Sequence, residues 1–436
     1  MQEHINEIKY LAKRIGRPVK LMEVCGTHTQ VIAEYGIKEF LPKNIKLISG
    51  PGCPVCVTAV CDIDAVVKLA TSGIPVATYG DMIRVKGSKM SLADAREAGA
   101  FVKEIYGVEE LFGGNMSGQG TRPTQIKNNL NRVGQGPLTL PNVVFFGIGF
   151  ETTAPMTASV VRRGIKVYSA HKAFIPAMEA LLREGEIKVD GLISPGHVGA
   201  IVGADVFSGF KIPPLSPPVR LRSCQRNDCP PNWRGQAGQD SFKGGELVGC
   251  RDEAMPRLRN IPQVITGFEE KDVLCGIMML LRQIADGRGE VENEYKRVVA
   301  NGGNKKALKL IDEVFEIRDS EWRGLGNIPK SGFELREKYA DMDAKVVYKD
   351  IITRINPSHS TGRGANEKAR PNEWIRPFGQ ANQRECYSGC LCAEVIKGNI
   401  EPQRCPNFGK KCNPEDPQGP CMVSREGACN IAYRII

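Results

Sequence analysis

The segment NIKLISGPGCPVCVTAVCDIDAVVKLATSGIPVATYGD, residues 44–81, decides the fold class. Residues 44–50 and 75–80 are short apolar runs that predict strands, and the periodic apolar positions of 57–72 predict a helix between them. A strand, a helix and a second strand in this order are typical of a parallel sheet. The run VKLMEV, residues 19–24, predicts a further strand upstream, so we expect an α/β fold.

The same pattern recurs later in the chain. Apolar runs predict four more strands, and 3.6-residue periodicity predicts three helices: strands at 142–149, 164–172, 190–199 and 263–269, and helices at 5–14, 273–298 and 304–317. We therefore expect two parallel-sheet α/β domains and a cysteine-rich C-terminal domain. The expected boundaries are 15–140, 141–285 with an insertion near 208–260, and 286–436 joined by the N-terminal helix 1–14.

Composition and charge exclude several classes of protein. The chain has 436 residues, of which 41% are hydrophobic and 25% charged, which excludes fibrous and fully disordered proteins. The net charge of +10 is mild for this length, and only 6% of residues are aromatic, so nucleic-acid binding is disfavoured. No apolar run reaches 18 residues, and the first 20 residues lack the apolar core of a signal peptide. We expect a cytoplasmic protein with no membrane span.

Polar side chains follow most of the predicted strands. Cys25, the turn at Cys53 and Asp81 each come directly after a strand, where ligands of parallel sheets collect. Four other residues have the same placement, namely Glu151, His171, His197 and Glu269. Each alone is more often a cap or a hydrogen-bonded core residue, but the shared placement makes Asp81 and Glu151 candidate site residues.

Cysteine is the most informative residue type. The chain has 15 cysteines, and in a reducing compartment clustered cysteines indicate metal sites or redox centres before structural disulfides. In CGTHT, residues 25–29, Cys25 and His28 are three apart on a turn and can face one metal. A buried structural cysteine beside a surface histidine is the alternative.

The segment GPGCPVC, residues 50–56, places Cys53 and Cys56 at a predicted strand–helix junction. This spacing suits a dithiol/disulfide couple or half of a metal site. A helix N-terminus lowers the pKa of a nearby thiol, which favours the reactive thiolate. Two merely packed thiols are the alternative.

Seven cysteines lie within residues 386–429. Four of them can hold a [4Fe–4S] cluster, with glycines and prolines shaping the loops between them: Cys390, Cys405, Cys412 and Cys429. Cys392 and Cys421 then remain for a second couple beside the cluster. A four-cysteine zinc site and a disulfide knot stay open as alternatives, because spacing alone does not separate zinc from iron–sulfur.

Three stretches break the α/β order and predict loops or insertions: 113–141, 208–260 and 356–385. The glycines of 113–121 lack the ending of a phosphate-binding loop. Four cysteines in or next to these stretches receive no role: Cys224, Cys229, Cys250 and Cys386.

Six motifs closely resemble, in order, those of the HypD family of hydrogenase maturation proteins: LMEVCGTHT (21–29), GPGCPVC (50–56), GFETTAP (149–155), PGHV (195–198), WRGLG (322–326) and CMVSREGAC (421–429). The resemblance covers most of 5–112, 141–207, 259–355 and 386–436, and the three interrupting stretches lie outside it. It implies two α/β domains plus a domain that holds a [4Fe–4S] cluster. It also implies a redox-active scaffold on which the Fe(CN)2CO unit of [NiFe]-hydrogenase is assembled.

The resemblance further implies roles for individual residues. Cys25 and His28 would be the site of a transient Fe(II) carrying cyanide and carbonyl ligands, and Cys53 and Cys56 a redox-active pair beside it. The other six roles are carried by the C-terminal cysteines: Cys390, Cys405, Cys412 and Cys429 as cluster ligands, and Cys392 and Cys421 as the couple that relays electrons. The implied partners are a small HypC-type chaperone and a HypE-type protein that delivers cyanide.

Two other functions share part of this pattern. A ferredoxin-dependent thiol–disulfide reductase would use the cluster and the CxxC pair without a bound iron centre, which leaves CGTHT unexplained. A zinc-stabilised binding module would hold zinc tightly and have no redox activity.

Overall fold

The computed structural model describes residues 2–112, 143–212, 259–353 and 389–435. Nearly all of the three predicted insertions lie outside these ranges, as do the four cysteines without an expected role. Within the described ranges, no helix combines the length and the apolar character needed to cross a membrane.

The strands of the described residues are, in chain order, β1 (Val19–Glu23), β2 (Ile45–Ser49), β3 (Val76–Tyr79), β4 (Val102–Ile105), β5 (Val144–Gly147), β6 (Lys166–Ser169), β7 (Gly191–Pro195), β8 (Lys211–Ile212), β9 (Arg259–Asn260), β10 (Gln263–Thr266), β11 (Val291–Asn293), β12 (Phe315–Trp322) and β13 (Gly326–Leu335). Every strand expected between residues 19 and 269 is present, within a few residues of its predicted bounds.

The helices of the described residues are α1 (Gln2–Ile15), α2 (Gly26–Glu34), α3 (Ile37–Phe40), α4 (Pro54–Val57), α5 (Val60–Thr71), α6 (Gly80–Ile83), α7 (Leu92–Glu97), α8 (Ala154–Arg162), α9 (Phe174–Arg183), α10 (Gly196–Val202), α11 (Glu270–Ala285), α12 (Lys305–Val314), α13 (Ala344–Val347), α14 (Lys349–Thr353), α15 (Cys392–Ile396), α16 (Pro420–Val423) and α17 (Ala428–Ile435). Short 3-10 helices cover Val108–Phe112, Asp205–Gly209, Glu337–Met342 and Pro402–Arg404.

The first sheet contains five parallel strands in the order β11-β10-β7-β1-β2. Strand β1 lies between β2 and β7, and its Leu21 pairs with Leu47 on one side and with Gly191 on the other. Helices α1 and α11 pack against each other, and Leu11 and Leu274 are buried in the same core cluster as Leu21. The apolar stripe of α1 thus closes one face of this sheet.

The second sheet contains four parallel strands in the order β4-β3-β5-β6. Ala77, Phe145 and Val167 share a buried cluster with Ala158 of α8, so this helix covers one face of the sheet. The two sheets confirm the predicted α/β class with two parallel sheets. The cysteine-rich region follows them near the C-terminus.

The strands of each sheet come from both sides of residue 140, unlike the predicted ranges 15–140 and 141–285. The chain leaves the first sheet after β2, builds the second sheet from β3 to β6, and returns to the first sheet at β7. Apolar runs predict that a strand exists, but the choice of its neighbour depends on packing between distant segments.

Two predicted helices are shorter than expected. The helix predicted over 273–298 ends at Ala285, where Gly287 with a φ of 67° allows the chain to reverse, and residues 291–293 form β11. The helix predicted over 304–317 ends at Val314, and β12 begins at the next residue. The helix predicted over 57–72 is α5, preceded by the separate turn α4.

Strands β12 and β13 form an antiparallel hairpin that the sequence did not predict. At its tip, Trp322 is fully buried and forms a β-bridge with Thr58, directly after α4. The main-chain N–H of Arg323 donates to the carbonyl of Val57 over 2.9 Å. The hairpin tip therefore supports the end of the short helix that carries Cys56.

Candidate functional site

The C-terminal ends of four adjacent strands gather the candidate residues at one edge of the first sheet. Cys25 follows β1, the turn at Cys53 follows β2, His197 follows β7, and Phe268 comes two residues after β10. Because these four strands are neighbours and parallel, their carboxyl ends meet at the same edge. The edge that carries these residues is therefore built by β10, β7, β1 and β2.

Cys25 lies at the N-terminal end of α2 and is only 2% exposed. Its main-chain N–H donates to Glu23 Oε2 over 3.0 Å, and the hydroxyl of Thr29 donates to the other oxygen of the same carboxylate. The sulfur lies 3.7 Å from Nδ1 of His197. Burial raises the pKa of Cys25 to about 12, so this thiol keeps its proton until a metal or a base displaces it.

Two histidines, the buried His28 and the half-buried His197, flank the ring of Phe268 beside this thiol. The ring centroids of His28 and His197 lie 4.8 Å and 5.3 Å from that of Phe268. Burial lowers the pKa of both imidazoles to about 4, so both are neutral near pH 7. A neutral imidazole carries a nitrogen lone pair, which is the form that binds metals.

The two imidazoles have different hydrogen bonds. Nε2 of His28 lies 2.9 Å from the carbonyl oxygen of Gly267, which can only accept, so Nε2 carries the proton. Its Nδ1 is buried and has no hydrogen-bond partner among the described residues. His197, one of the weaker sequence candidates, instead directs Nδ1 at the sulfur of Cys25.

The CPVC turn packs directly on the backbone of the Cys25 turn. Cys53 and Cys56 are joined by a disulfide across the first turn of α4, and Cys53 Sγ accepts from the N–H of Cys56 over 3.2 Å. A Cβ on Gly52 would lie 2.3 Å from the backbone nitrogen of Cys25, closer than any real contact. A Cβ on Gly26 would meet Glu426 at 2.4 Å. These glycines allow three loops to meet at the site.

The four expected cluster ligands line one cavity in the C-terminal region: Cys390, Cys405, Cys412 and Cys429. Gly419 closes one side, since a Cβ there would lie 2.7 Å from the sulfur of Cys390. Nowhere in the described parts of the chain are three or more His, Cys, Asp or Glu side chains placed so that they could hold a metal ion. A four-iron cluster is larger than an ion and needs its thiolates further apart, so four thiols around one cavity, three of them buried, fit this group.

Cys392 and Cys421 lie beside this cavity with their sulfurs 3.0 Å apart. The hydrogen bond from Cys421 lowers the pKa of Cys392, and the same bond raises the pKa of Cys421. The guanidinium of Arg323 contributes to the lowering at Cys392. Cys421 also lines a second cavity, which it shares with Cys53 and Cys56.

Asp81 belongs to the second sheet but contacts the C-terminal region. Its Oδ2 accepts from the N–H of Arg425 over 2.9 Å and from the hydroxyl of Ser424 over 3.3 Å. It therefore holds the loop between Cys421 and Cys429. The structure gives it this supporting contact rather than a place beside Cys25.

Glu151 also follows a strand of the second sheet and is 4% exposed. Its Oε1 accepts from the N–H of Ile175 over 3.3 Å, and burial raises its pKa to about 7. The other two sequence candidates have structural contacts: His171 lies between the hydroxyls of Thr157 and Ser169, and Glu269 caps α11.

Four residues at the site were not candidates in the sequence analysis: Glu23, Phe268, Arg323 and Glu426. Glu23 carried a detectable signal, because it is the one carboxylate inside the apolar run 19–24. Phe268, Arg323 and Glu426 lie in loops whose approach to the cysteines depends on the tertiary fold.

A cavity of about 420 Å³ opens beside the Cys25 turn. Glu23, Thr29 and Ser49 contribute polar groups, and apolar side chains of α2, β2 and α17 form most of its wall. Thr29 and Ser49 also line the cavity that contains Cys53 and Cys56. An open, largely apolar cavity therefore adjoins the site from the side of β2.

Comparison with known proteins finds one family model along most of the chain. The model is HypD, described as the hydrogenase formation hypA family, and it matches residues 1–115, 138–213 and 251–435. Apart from Ile436, the unmatched residues lie within two of the stretches set apart in the sequence analysis. The match runs through 356–385, so the expectation that this third stretch departs from the family is wrong.

Individual relatives match over nearly their whole length. The hydrogenase maturation factor HypD of Azotobacter vinelandii is 35% identical over 432 residues, which cover 96% of this chain and 89% of the relative. HypD of Rhodobacter capsulatus is 33% identical, with 97% and 92% covered. HypD of Escherichia coli is 30% identical, with 99% and 93% covered.

Proposed function

Because the chain belongs to the HypD family of hydrogenase maturation factors, we propose that it is a redox-active scaffold for assembling the Fe(CN)2CO unit of [NiFe]-hydrogenase. In this proposal the iron is cargo, held at Cys25 while its diatomic ligands are added. The C-terminal cysteines and the CPVC pair supply the electrons that cyanide transfer needs.

The groups around Cys25 suit low-spin Fe(II) with strong-field ligands. A soft thiolate and a neutral imidazole are appropriate donors for such an iron, and both histidines beside Cys25 are neutral. The iron would displace the thiol proton, which burial otherwise retains on Cys25. The net charge of +10 favours an anionic dicyano-iron cargo.

The thiols of the C-terminal region fit a resident [4Fe–4S] cluster, with Cys390, Cys405, Cys412 and Cys429 as its ligands. When bound, the cluster would supply electrons one at a time. The two thiol pairs of this chain, Cys392 with Cys421 and Cys53 with Cys56, each hold or release two electrons. Thiol pairs next to the cluster cavity thus bridge one-electron and two-electron chemistry.

One observation supports the proposal. The four expected ligands share one cavity with Cys392 and Cys421, and Cys421 shares a second cavity with Cys53 and Cys56, which is the order that a relay would need. Gly52 then packs the CPVC turn onto Cys25. A free-standing thiol–disulfide reductase would need the two cavities but not the buried Cys25–His197 contact.

The proposed partners follow from the same arrangement. A HypC-type chaperone would contact the region of Cys25. The 420 Å³ cavity adjoins this region, because it is lined by Glu23 and Thr29, which both hydrogen-bond with the backbone of Cys25. A HypE-type protein would deliver the cyanide groups. We place the chain in the cytoplasm, where a reducing environment keeps clustered thiols available.

The test is infrared spectroscopy of the anaerobically purified complex with its HypC-type partner. The wild-type complex should show cyanide and carbonyl stretching bands, and Cys25→Ala should lose them. Cys61→Ser is the matched control, because Cys61 is an exposed thiol on α5 outside the site. A Cys25→Ala complex that keeps the bands would contradict the assignment of Cys25.

A further inference from the structure

The cavities distinguish the two sulfurs of the C-terminal couple. Cys392 and Cys421 both line the cavity of the expected cluster ligands, but Cys421 alone of the two also lines the cavity of Cys53 and Cys56. Helix α16, which carries Cys421, packs against α4, which carries Cys56. On the other helix, α15, it is Ile396 rather than Cys392 that reaches the disulfide cavity.

From this geometry we propose that Cys421 is the thiol that attacks the Cys53–Cys56 disulfide, and that Cys392 resolves the mixed disulfide so formed. The inference rests on the proposed function, since it assigns roles within the relay. The assignment states which sulfur forms the covalent bond between the two thiol pairs.

The exchange balances within the chain. Cys421 as a thiolate bonds to one sulfur of the Cys53–Cys56 pair, and the other sulfur leaves as a thiolate. Cys392 then bonds to Cys421 and releases the second sulfur of the CPVC pair. Two electrons pass from the C-terminal couple to the CPVC pair, and the two protons of the dithiol pass to the released sulfurs through the cavity.

The short contact between the two sulfurs serves the first step. At 3.0 Å the two sulfurs are within hydrogen-bond distance, and either can be the donor. The proton of Cys421 can therefore pass to Cys392 along this contact before Cys421 attacks.

The test compares the two sulfurs by cross-linking in matched variants. C392S/C56S leaves Cys421 and Cys53, and C421S/C56S leaves Cys392 and Cys53; a second matched set carries C53S in place of C56S. All four also carry C61S, which removes the third cysteine of the tryptic peptide 47–68. The proteins are purified without oxygen, checked for folding by circular dichroism, and treated with diamide.

Mass spectrometry measures the rate at which peptide 47–68 is linked to peptide 412–425, which contains Cys421, or to peptide 385–397, which contains Cys392. Fragment ions separate Cys421 from Cys412 in the first link, and Cys392 from Cys386 and Cys390 in the second. We expect the Cys421 variants to cross-link at least about tenfold faster than the Cys392 variants, because Cys421, and not Cys392, lines the cavity of the acceptor sulfurs.

The outcomes separate the inference from the function on which it rests. Faster linking through Cys392 would overturn the assignment and leave the relay intact. No link through either cysteine, in variants that fold, would overturn both the assignment and the proposed exchange between the two pairs.

Discussion

Replacing Gly52 with alanine tests the close packing of the CPVC turn on Cys25. The added Cβ would lie 2.3 Å from the nitrogen of Cys25 and from the carbonyl carbon of Val24, whereas ordinary contacts begin at 3.4 Å. Both neighbours are backbone atoms of the strand end, so they cannot rotate away. Overpacking of this kind costs roughly 2 kcal/mol, which corresponds to a factor of about 30 in an opening equilibrium.

The assay follows the thiol of Cys25 by alkylation under native conditions. Because Cys25 is buried, its alkylation reports local opening, and tryptic peptide 21–38 contains no other cysteine. We expect Gly52→Ala to raise the alkylation rate by about 30-fold. Gly107→Ala is the control, since a Cβ there meets nothing within 4 Å. A rate for Gly52→Ala within about twofold of the control would refute the packing argument.

Three further predictions concern groups around the site. Burial raises the pKa of Glu151 from 4.5 to about 7, so the stability of the wild type falls as pH rises through this window. In urea unfolding, the free energy of unfolding of Glu151→Gln should therefore rise by about 3 kcal/mol relative to wild type between pH 4.5 and 7. A difference that stays constant with pH would contradict this. Asp81→Ala should raise the alkylation rate of Cys421 by about tenfold, because the loop loses its acceptor for the N–H of Arg425. Asp81→Asn keeps an acceptor and should stay closer to wild type. Equal rates in the two variants would show that Asp81 does not hold the loop. In urea unfolding, Gly324→Ala should destabilise the protein by about 1–2 kcal/mol more than Gly302→Ala. Both glycines have a positive φ, but only a Cβ on Gly324 would meet Ala393. Equal losses of stability would mean that the hairpin tip does not pack closely on α15.

The sequence predicted the strands well because apolar runs such as 19–24 and 44–50 are buried on both faces of a parallel sheet. It did not predict that β3 belongs to a different sheet from β2, because the neighbours of a strand are determined by packing between segments that are distant in the chain. The hairpin 315–335 was missed because most residues of its first strand are charged or polar, so the strand is not an apolar run. Gly324, in the short loop between Trp322 and Gly326, is a hairpin turn signal that the sequence analysis did not use.

The site was predictable where chemistry is local in the chain. Cys25 and the CPVC pair can be identified from the sequence by their spacing and by their position after predicted strands. The contact between Cys25 and His197 required the strand order, because β7 lies beside β1 although the two residues are 172 positions apart. The pairing of Cys392 with Cys421 likewise depends on how α15 and α16 pack.

The most direct test of the account is the iron, zinc and acid-labile sulfide content of the full chain purified without oxygen. The account predicts about four irons with matching sulfide and a broad visible band that bleaches on reduction. Serine at Cys405 or Cys412 should lose both the iron and the band. A colourless protein with tightly bound zinc and no sulfide would contradict the account, because the two thiol pairs would then have no one-electron donor beside them.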